Sequence, residues 1–350
     1  MPLSSTIHLH PPTSPSSKPP SVTYLIYHIT GNPGLIEYYR TFLTHLYGSL
    51  SKHAYSPPPT SPPSIEFQVF GRSLSGFEVD GSPNLRDVHG SPPYGLEEQI
   101  AESERCLTQL VESARNGGSE DVRVVLMGHS VGSYILLELI RRVRERGDDV
   151  RIVGGVCLFP TVTHIAESNS GKKASPILAL PSSAYLISLL AKALSLLLPV
   201  PALSSLIKTF MRFPSDAAHV TASFVKSRHG VHQALHMAHD EMQTITADRW
   251  DDEIWGAVTP SPHSHRRPVL RFLFADEDHW VANETRDDLM RVRSSMGTDD
   301  EPWKPKMEID ETHGWPHGFC IKHSVPVAER VCGYVEDIVQ RDLEGPYNFH

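Results

Sequence analysis

Short apolar runs alternate with amphipathic segments along most of the chain. Five runs rich in β-branched, aromatic or aliphatic residues predict buried strands, at residues 22–27, 65–70, 122–127, 152–159 and 269–274. Between them, segments such as 95–114 and 132–146 place apolar residues at helical spacing. Strands that alternate with helices predict an α/β fold with a mostly parallel central sheet and helices on both faces.

Two Pro- and Ser-rich stretches interrupt this pattern. Residues 1–21 lack the apolar core of a secretory signal, so we expect a disordered tail. Residues 51–64 show no periodicity and predict a surface insertion. The remainder, residues 22–350, is expected to form one domain that carries a larger insertion at about residues 162–266.

The larger insertion contains the most apolar stretch of the chain, residues 176–213. Its longest uninterrupted part, residues 184–198, is shorter than the ~20 residues that a membrane-spanning helix needs. Prolines break up the rest, which favours an inserted lid of short apolar helices. Leucines recur there at helical spacing, at positions Leu186, Leu189, Leu190, Leu194, Leu197 and Leu198. Such a face could pack over an active site, lie in a phospholipid monolayer, or do both.

Composition excludes several classes of function. A net charge of -9 and a pI near 6.1 argue against a protein that binds nucleic acid, and no nucleic-acid partner is expected. The four cysteines form no CxxC pair, so free thiols are expected in place of disulfides or a zinc site. No metal and no cofactor is predicted.

Residues 128–132 match G-x-S-x-G, with Ser130 at the centre. This pattern is informative only where a strand precedes it and a helix follows it, because the serine must sit on a sharp turn at the edge of the sheet. The strand at 122–127 and the helix at 132–146 supply that context. Ser130 is therefore the predicted nucleophile.

A serine nucleophile needs a histidine base and an acid, which in this type of fold follow it in the order acid, then histidine. Three acidic residues come directly after the strand at 269–274, namely Asp276, Glu277 and Asp278. His313 and His317 follow the strand-like residues 307–309, whereas His323 falls where a helix is expected. Spacing alone leaves Asp276 and Asp278 open as the acid, and His313 and His317 open as the base.

The oxyanion of the reaction needs two backbone N–H groups. Val131, at the start of the helix after the nucleophile, is expected to supply one. The turn at residues 31–34 is expected to supply the other from Asn32, because Pro33 has no N–H.

Four segments resemble the lipid droplet-associated hydrolases. These are Gly-Asn-Pro-Gly at 31–34, the elbow Gly-His-Ser-Val-Gly-Ser-Tyr at 128–134, Leu-Phe-Pro-Thr at 158–161 and His-Gly-Phe at 317–319. The resemblance implies an α/β-hydrolase fold with Asp278 as the acid, since Asp278 and Trp280 match the family's Asp-x-Trp, and His317 as the base. Thr30, Ala275 and Gly318 depart from the family's usual residues without removing a member of the triad.

The resemblance further implies a serine esterase or lipase at lipid droplets and the endoplasmic reticulum, acting on neutral-lipid esters such as sterol esters or acylglycerols. Residues 176–213 would then contact the droplet or membrane surface. The alternative is a droplet-surface protein with little turnover, in which that apolar stretch does the work. A different chemistry on the same fold, such as thioester hydrolysis, would differ only in pocket contacts.

Overall fold

A computed structural model describes residues 3–12, 20–52, 64–79, 91–255, 263, 265–294 and 305–344. Its strands are β1 (Thr6–Leu9), β2 (Val22–Ile29), β3 (Ile65–Arg72), β4 (Val122–His129), β5 (Arg151–Leu158), β6 (Val269–Ala275) and β7 (Lys306–Asp310). Its helices are α1 (Arg40–Lys52), α2 (Leu96–Asn116), α3 (Val131–Arg146), α4 (Asn169–Leu178), α5 (Ser183–Leu196), α6 (Val200–Met211), α7 (Ser215–Lys226), α8 (Gly230–Thr244), α9 (Asp252–Trp255), α10 (Asn283–Arg293) and α11 (Ser324–Leu343). Short 3₁₀ turns lie at Ile36–Tyr39, Ile165–Glu167 and Phe319–Ile321.

The seven strands form one sheet in the order β1-β3-β2-β4-β5-β6-β7. All neighbours pair in parallel except β1, which runs antiparallel to β3. Parallel pairing places the carboxyl ends of β4, β6 and β7 at the same edge, where the loops that follow them meet. The predicted mostly parallel sheet is confirmed.

Both faces of the sheet are covered, as the continuous apolar strands require. Leu25 and Tyr27 of β2 pack into a cluster with α2 and α3. Tyr24 and Ile26 face the other way and pack against α1 and α11. Every residue of β2 is buried, and its side chains contribute alternately to the apolar layers on the two faces of the sheet.

The expected disordered tail is wrong for part of its length. Residues Thr6–Leu9 form β1, and Ile7 is buried in the apolar layer between the sheet and the helices α1 and α11. The strand extends the sheet at β3, and Ser73 N–H donates to the carbonyl of Ser5 at its end. Four residues are enough here because the edge of β3 offers unpaired backbone groups.

The segment between β5 and β6 is a helical insertion that contains α4 to α9. The two helices α7 and α8 face the body of the protein and bury Ala218 and Met237. The two helices α5 and α6 are the apolar outer part of the insertion. Most of the predicted Pro-rich insertion at 51–64 lies outside the described residues. The elements on either side of it are α1, which ends at Lys52, and β3, which begins at Ile65.

By length and composition, no single helix among the described residues could cross a membrane. Two consecutive helical segments are long and apolar enough only when they are taken together, Asn169–Leu178 and Ser183–Ala193, and the chain bends by 96° between them.

Candidate active site

The turn between β4 and α3 holds Ser130 in a strained conformation. Its φ of 55° and ψ of -125° lie in a region that side-chain-bearing residues rarely adopt. The turn can close only because residue 128 has no side chain. A Cβ on Gly128 would lie 2.3 Å from the carbonyl oxygen of Gly132. Likewise, a Cβ on Gly132 would lie 2.3 Å from the carbonyl oxygen of Ile29. Both glycines are therefore required by close backbone approach, as the sequence pattern predicts.

Two side chains from other loops complete a chain of hydrogen bonds to Ser130. His317 Nε2 lies 2.9 Å from Ser130 Oγ, and His317 Nδ1 lies 2.7 Å from Asp278 Oδ2. The second oxygen of Asp278 accepts the Trp280 N–H at 2.7 Å, which fixes the carboxylate. The structure therefore brings together the three residues predicted as nucleophile, acid and base.

The rival residues are placed elsewhere. Asp276 and Glu277 are exposed, whereas the Asp278 side chain is 4% exposed. His313 pairs with Asp310 at 2.7 Å and stacks on Trp315, and its side chain is 44% exposed. His323 is the residue before the first turn of α11 and is not within the helix. Of the alternatives that spacing left open, Asp278 and His317 are therefore the ones that the structure places in a hydrogen-bonded chain with Ser130, and their catalytic roles stay predictions.

A second hydrogen-bonded chain, which no sequence pattern predicted, lies behind the first. The Gly31 N–H donates to Tyr39 Oη at 3.1 Å, and Tyr39 Oη lies 2.6 Å from His129 Nδ1. His129 Nε2 lies 2.8 Å from the carbonyl oxygen of His317. Since a carbonyl can only accept, Nε2 carries the proton and Nδ1 accepts from the tyrosine hydroxyl. Burial holds the pKa of His129 well below its usual value, which agrees with a neutral ring.

This second chain connects two loops that flank Ser130, namely the turn at 31–34 and the loop that carries His317. A Cβ on Gly31 would lie 3.1 Å from the Cβ of Ser130, so the turn at 31–34 lies directly against the nucleophile. Among the described residues, neither the Asn32 N–H nor the Val131 N–H donates to a loop or turn acceptor. That is the state expected of oxyanion donors, although their role stays a prediction.

Helix α8 of the insertion binds the Asn32 side chain through two hydrogen bonds. Asn32 Nδ2 donates to the carbonyl of Ala234 and to Glu241 Oε1, each at 3.0 Å, and both acceptors belong to α8. Burial raises the pKa of the Glu241 carboxyl to about 8, so the group is mostly neutral at pH 7. A lid helix thus contacts the turn that is predicted to bind the oxyanion.

The described residues contain no group of three or more histidine, cysteine, aspartate or glutamate side chains placed to hold a metal ion. The cysteines Cys106, Cys157, Cys320 and Cys332 are free thiols. The hydrogen-bonded chain from Asp278 to Ser130 is the arrangement that activation of a serine hydroxyl by a histidine base requires.

Comparison with known families agrees with this geometry. A family model described as lipid-droplet associated hydrolase matches residues 22–320. The chain belongs to this family. The Lipid droplet-associated hydrolase of Rattus norvegicus is 25% identical over 326 residues, which cover 90% of this chain and 85% of that protein. The Gallus gallus protein of the same name is 29% identical over 243 residues, or 65% of this chain and 63% of that protein.

Solved structures support the fold. A peroxisomal α/β-hydrolase from Saccharomyces cerevisiae superposes with a TM-score of 0.57 at 10% identity, covering 98% of this chain and 90% of that chain. The juvenile hormone epoxide hydrolase of Bombyx mori superposes with a TM-score of 0.55 at 12% identity, covering 97% of this chain and 74% of that chain. At these identities the likeness shows the fold alone. The predicted α/β-hydrolase fold with a helical insertion is confirmed, and family and fold together support a hydrolase function.

Proposed function

We propose that this protein is a serine esterase that hydrolyses neutral-lipid esters at the surface of lipid droplets. The observation that carries the proposal is the hydrogen-bonded chain from Asp278 through His317 to Ser130. Its residues come from three loops at one edge of the sheet, and its distances are those at which a proton can be transferred. The family to which the chain belongs supports hydrolysis as the reaction class.

The reaction runs in two halves. Ser130 Oγ attacks the ester carbonyl carbon while His317 Nε2 takes its proton, and Asp278 stabilises the imidazolium that forms. The bond to the alcohol oxygen then breaks as His317 returns the proton to that oxygen, which leaves an acyl group on Ser130. A water molecule, deprotonated by His317, attacks the acyl carbonyl carbon and releases the fatty acid. The protonated His317 returns its proton to Ser130 as the acyl bond breaks.

In both halves a negative charge develops on the carbonyl oxygen. We assign its stabilisation to the N–H groups of Asn32 and Val131. The position of the turn at 31–34 against Ser130 supports the first donor, and the helix dipole of α3 adds to the second.

The outer helices of the insertion supply the contact with the lipid surface. Their large apolar side chains point outward, and Leu197 and Phe210 are 79% and 81% exposed. Others in the same segment are also exposed: Ile177, Leu180, Tyr185, Leu186, Ile187, Leu189, Leu190, Leu196, Leu206 and Met211. A soluble surface rarely presents so many contiguous apolar groups, and a monolayer of phospholipid would bury them. The names of the relatives support lipid droplets as the location, and the endoplasmic reticulum is the proposed second location.

Turnover of emulsified lipid tests the proposal. Wild-type protein and the Ser130→Ala variant are incubated with emulsions of a sterol ester, a triacylglycerol or a monoacylglycerol, and released fatty acid is measured. We expect wild-type protein to hydrolyse at least one class of ester and Ser130→Ala to hydrolyse none. The exposed Ser205 provides a matched control, and Ser205→Ala should retain full activity. If a folded wild-type protein releases no fatty acid from any emulsion, the esterase proposal fails and a surface protein with little turnover becomes the better account.

A further inference from the structure

Charge is distributed very unevenly between one part of the insertion, residues 169–230, and the rest of the chain. Residues 169–230 contain seven Lys and Arg residues against one Asp, which gives a net charge of +6. The rest of the chain contains 25 basic residues against 40 acidic ones, a net charge of -15. A strongly basic segment in an acidic protein indicates an electrostatic role for that segment.

Six of the seven basic side chains are exposed, namely Lys172, Lys173, Lys192, Lys208, Arg212 and Arg228. Within the part of the chain that the structure describes, none of the six forms an ion pair with a carboxylate. Elsewhere the basic residues are commonly paired, as Arg123 is with Asp342 and Arg141 with Glu145. The six charges are therefore available to an external partner.

The seventh basic residue has an internal role. Lys226 Nζ donates to the carbonyls of Ser195 and Leu198 at 2.7 and 2.9 Å, which satisfies groups at the end of α5. Lys226 is therefore excluded from the set that could meet a partner.

The exposed charges lie among the exposed apolar side chains. On α5, Lys192 is one helical turn from Leu189 and from Leu196, both exposed. On α6, Lys208 is one turn from Met211, which is also exposed. Such an arrangement lets leucine side chains enter an acyl-chain region while each lysine extends its charge to the headgroup layer.

We propose that the helices α4 to α6 dock on a phospholipid surface that carries anionic headgroups, and that the exposed basic residues on these helices or directly after them select for those headgroups, namely Lys172, Lys173, Lys192, Lys208 and Arg212. This inference rests on the proposed attachment of the insertion to a lipid surface and names the kind of surface. An acidic protein would satisfy the charges, but the apolar side chains interspersed with them on α5 and α6 favour the edge of a lipid layer. Each basic residue near an anionic surface is expected to strengthen binding about fivefold.

Vesicle flotation with the full chain tests the proposal. Binding is measured on phosphatidylcholine vesicles and on vesicles in which about one third of the lipid is phosphatidylserine. The test variant combines Lys172→Gln, Lys173→Gln and Lys192→Gln. The matched control removes the same number of charges outside the insertion, with Lys52→Gln, Lys306→Gln and Lys322→Gln, all of which are exposed.

We expect wild-type protein and the control variant to bind phosphatidylserine vesicles at least about tenfold more tightly than phosphatidylcholine vesicles, and added salt to reduce that preference. The test variant keeps Lys208 and Arg212, so it should lose most of the preference, and it should keep its weaker binding to phosphatidylcholine. Equal binding of wild-type protein to both vesicles would overturn the inference, and so would an equal loss in the test and control variants. A protein that binds neither vesicle but binds an acidic polypeptide would also overturn it.

Hydrolysis of a soluble short-chain ester by the same variants separates this inference from the proposed function. The insertion variant should hydrolyse that ester at the wild-type rate, because the three replaced side chains are exposed and belong to none of the residues placed in the catalytic site. Absence of hydrolysis in every form would count against the esterase and leave the vesicle result standing. Hydrolysis without a phosphatidylserine preference would contradict the docking inference alone.

Discussion

Replacement of Glu241 by glutamine should change how the stability of the protein depends on pH. Glu241 is buried in α8, and its pKa is raised from 4.5 to about 8, mainly by burial. Below pH 4.5 the carboxyl is protonated in both the folded and the unfolded chain, so it has no electrostatic cost. Between pH 4.5 and 8 the unfolded chain releases the proton while the folded chain keeps it. Stability therefore falls with rising pH across this window.

The size of the effect follows from the two pKa values. Each pH unit between them removes about 1.4 kcal/mol of folding free energy, so the loss reaches about 5 kcal/mol above pH 8. A glutamine at this position has nearly the same shape, can still accept from Asn32 Nδ2, and does not titrate. Relative to wild-type protein, Glu241→Gln should gain stability steadily from pH 5 to pH 8 and no further above that.

Urea unfolding followed by circular dichroism, at a series of pH values from 5 to 9, measures this difference. The exposed Glu112 serves as a control, and Glu112→Gln should leave the pH dependence of wild-type protein unchanged. If the difference in unfolding free energy between wild-type protein and Glu241→Gln is the same at every pH in the series, the claim that Glu241 stays neutral in the folded protein is refuted.

Three further variants probe the site and its support. Asp278→Asn should lower kcat by about 10⁴ because the base loses its orienting partner, while Asp276→Asn should leave the rate of ester hydrolysis unchanged. Gly132→Ala should prevent recovery of soluble protein, because the added Cβ would lie 2.3 Å from a carbonyl oxygen of β2. The matched control Gly333→Ala places its Cβ in open space on α11 and should raise the unfolding free energy by about 1 kcal/mol. Tyr39→Phe should lower kcat about tenfold with KM unchanged, since it removes the two hydrogen bonds through which Tyr39 Oη connects Gly31 and His129 beside the nucleophile; an altered KM with normal kcat would contradict a positioning role.

The parts of the fold that sequence predicts well are those whose signals are local. The strand at β4, the glycines at 128 and 132, and the helix α3 form one continuous segment, so pattern and conformation can be read together. The order of acid and base along the chain follows from the connectivity of a parallel sheet. These features depend on neighbouring residues and on topology, and both are accessible before any distance is known.

The features that sequence missed depend on contacts between distant residues. The strand β1 is four residues long, lies in a Pro- and Ser-rich segment, and exists only because β3 offers an edge at least sixty residues away along the chain. His129 meets the carbonyl of His317, and Asn32 meets Glu241, across separations of 188 and 209 residues. No local pattern encodes such pairs.

The choice between neighbouring acids shows the same limit. Asp276 and Asp278 both follow β6, and either could point at a histidine from spacing alone. The Trp280 N–H binds Asp278 and helps to turn its other oxygen toward His317, while Asp276 remains exposed. The family resemblance selected Asp278, but the physical reason is visible only in the folded loop.

The most direct test of the account is covalent labelling of Ser130 with a fluorophosphonate, located by peptide mass spectrometry. Wild-type protein should give one adduct, on the peptide that contains Ser130. His317→Ala should slow its formation by several orders of magnitude, while His313→Ala should label at the wild-type rate. An adduct on another serine, or equal labelling of wild-type protein and His317→Ala, would contradict the claim that Ser130 is a nucleophile activated by His317.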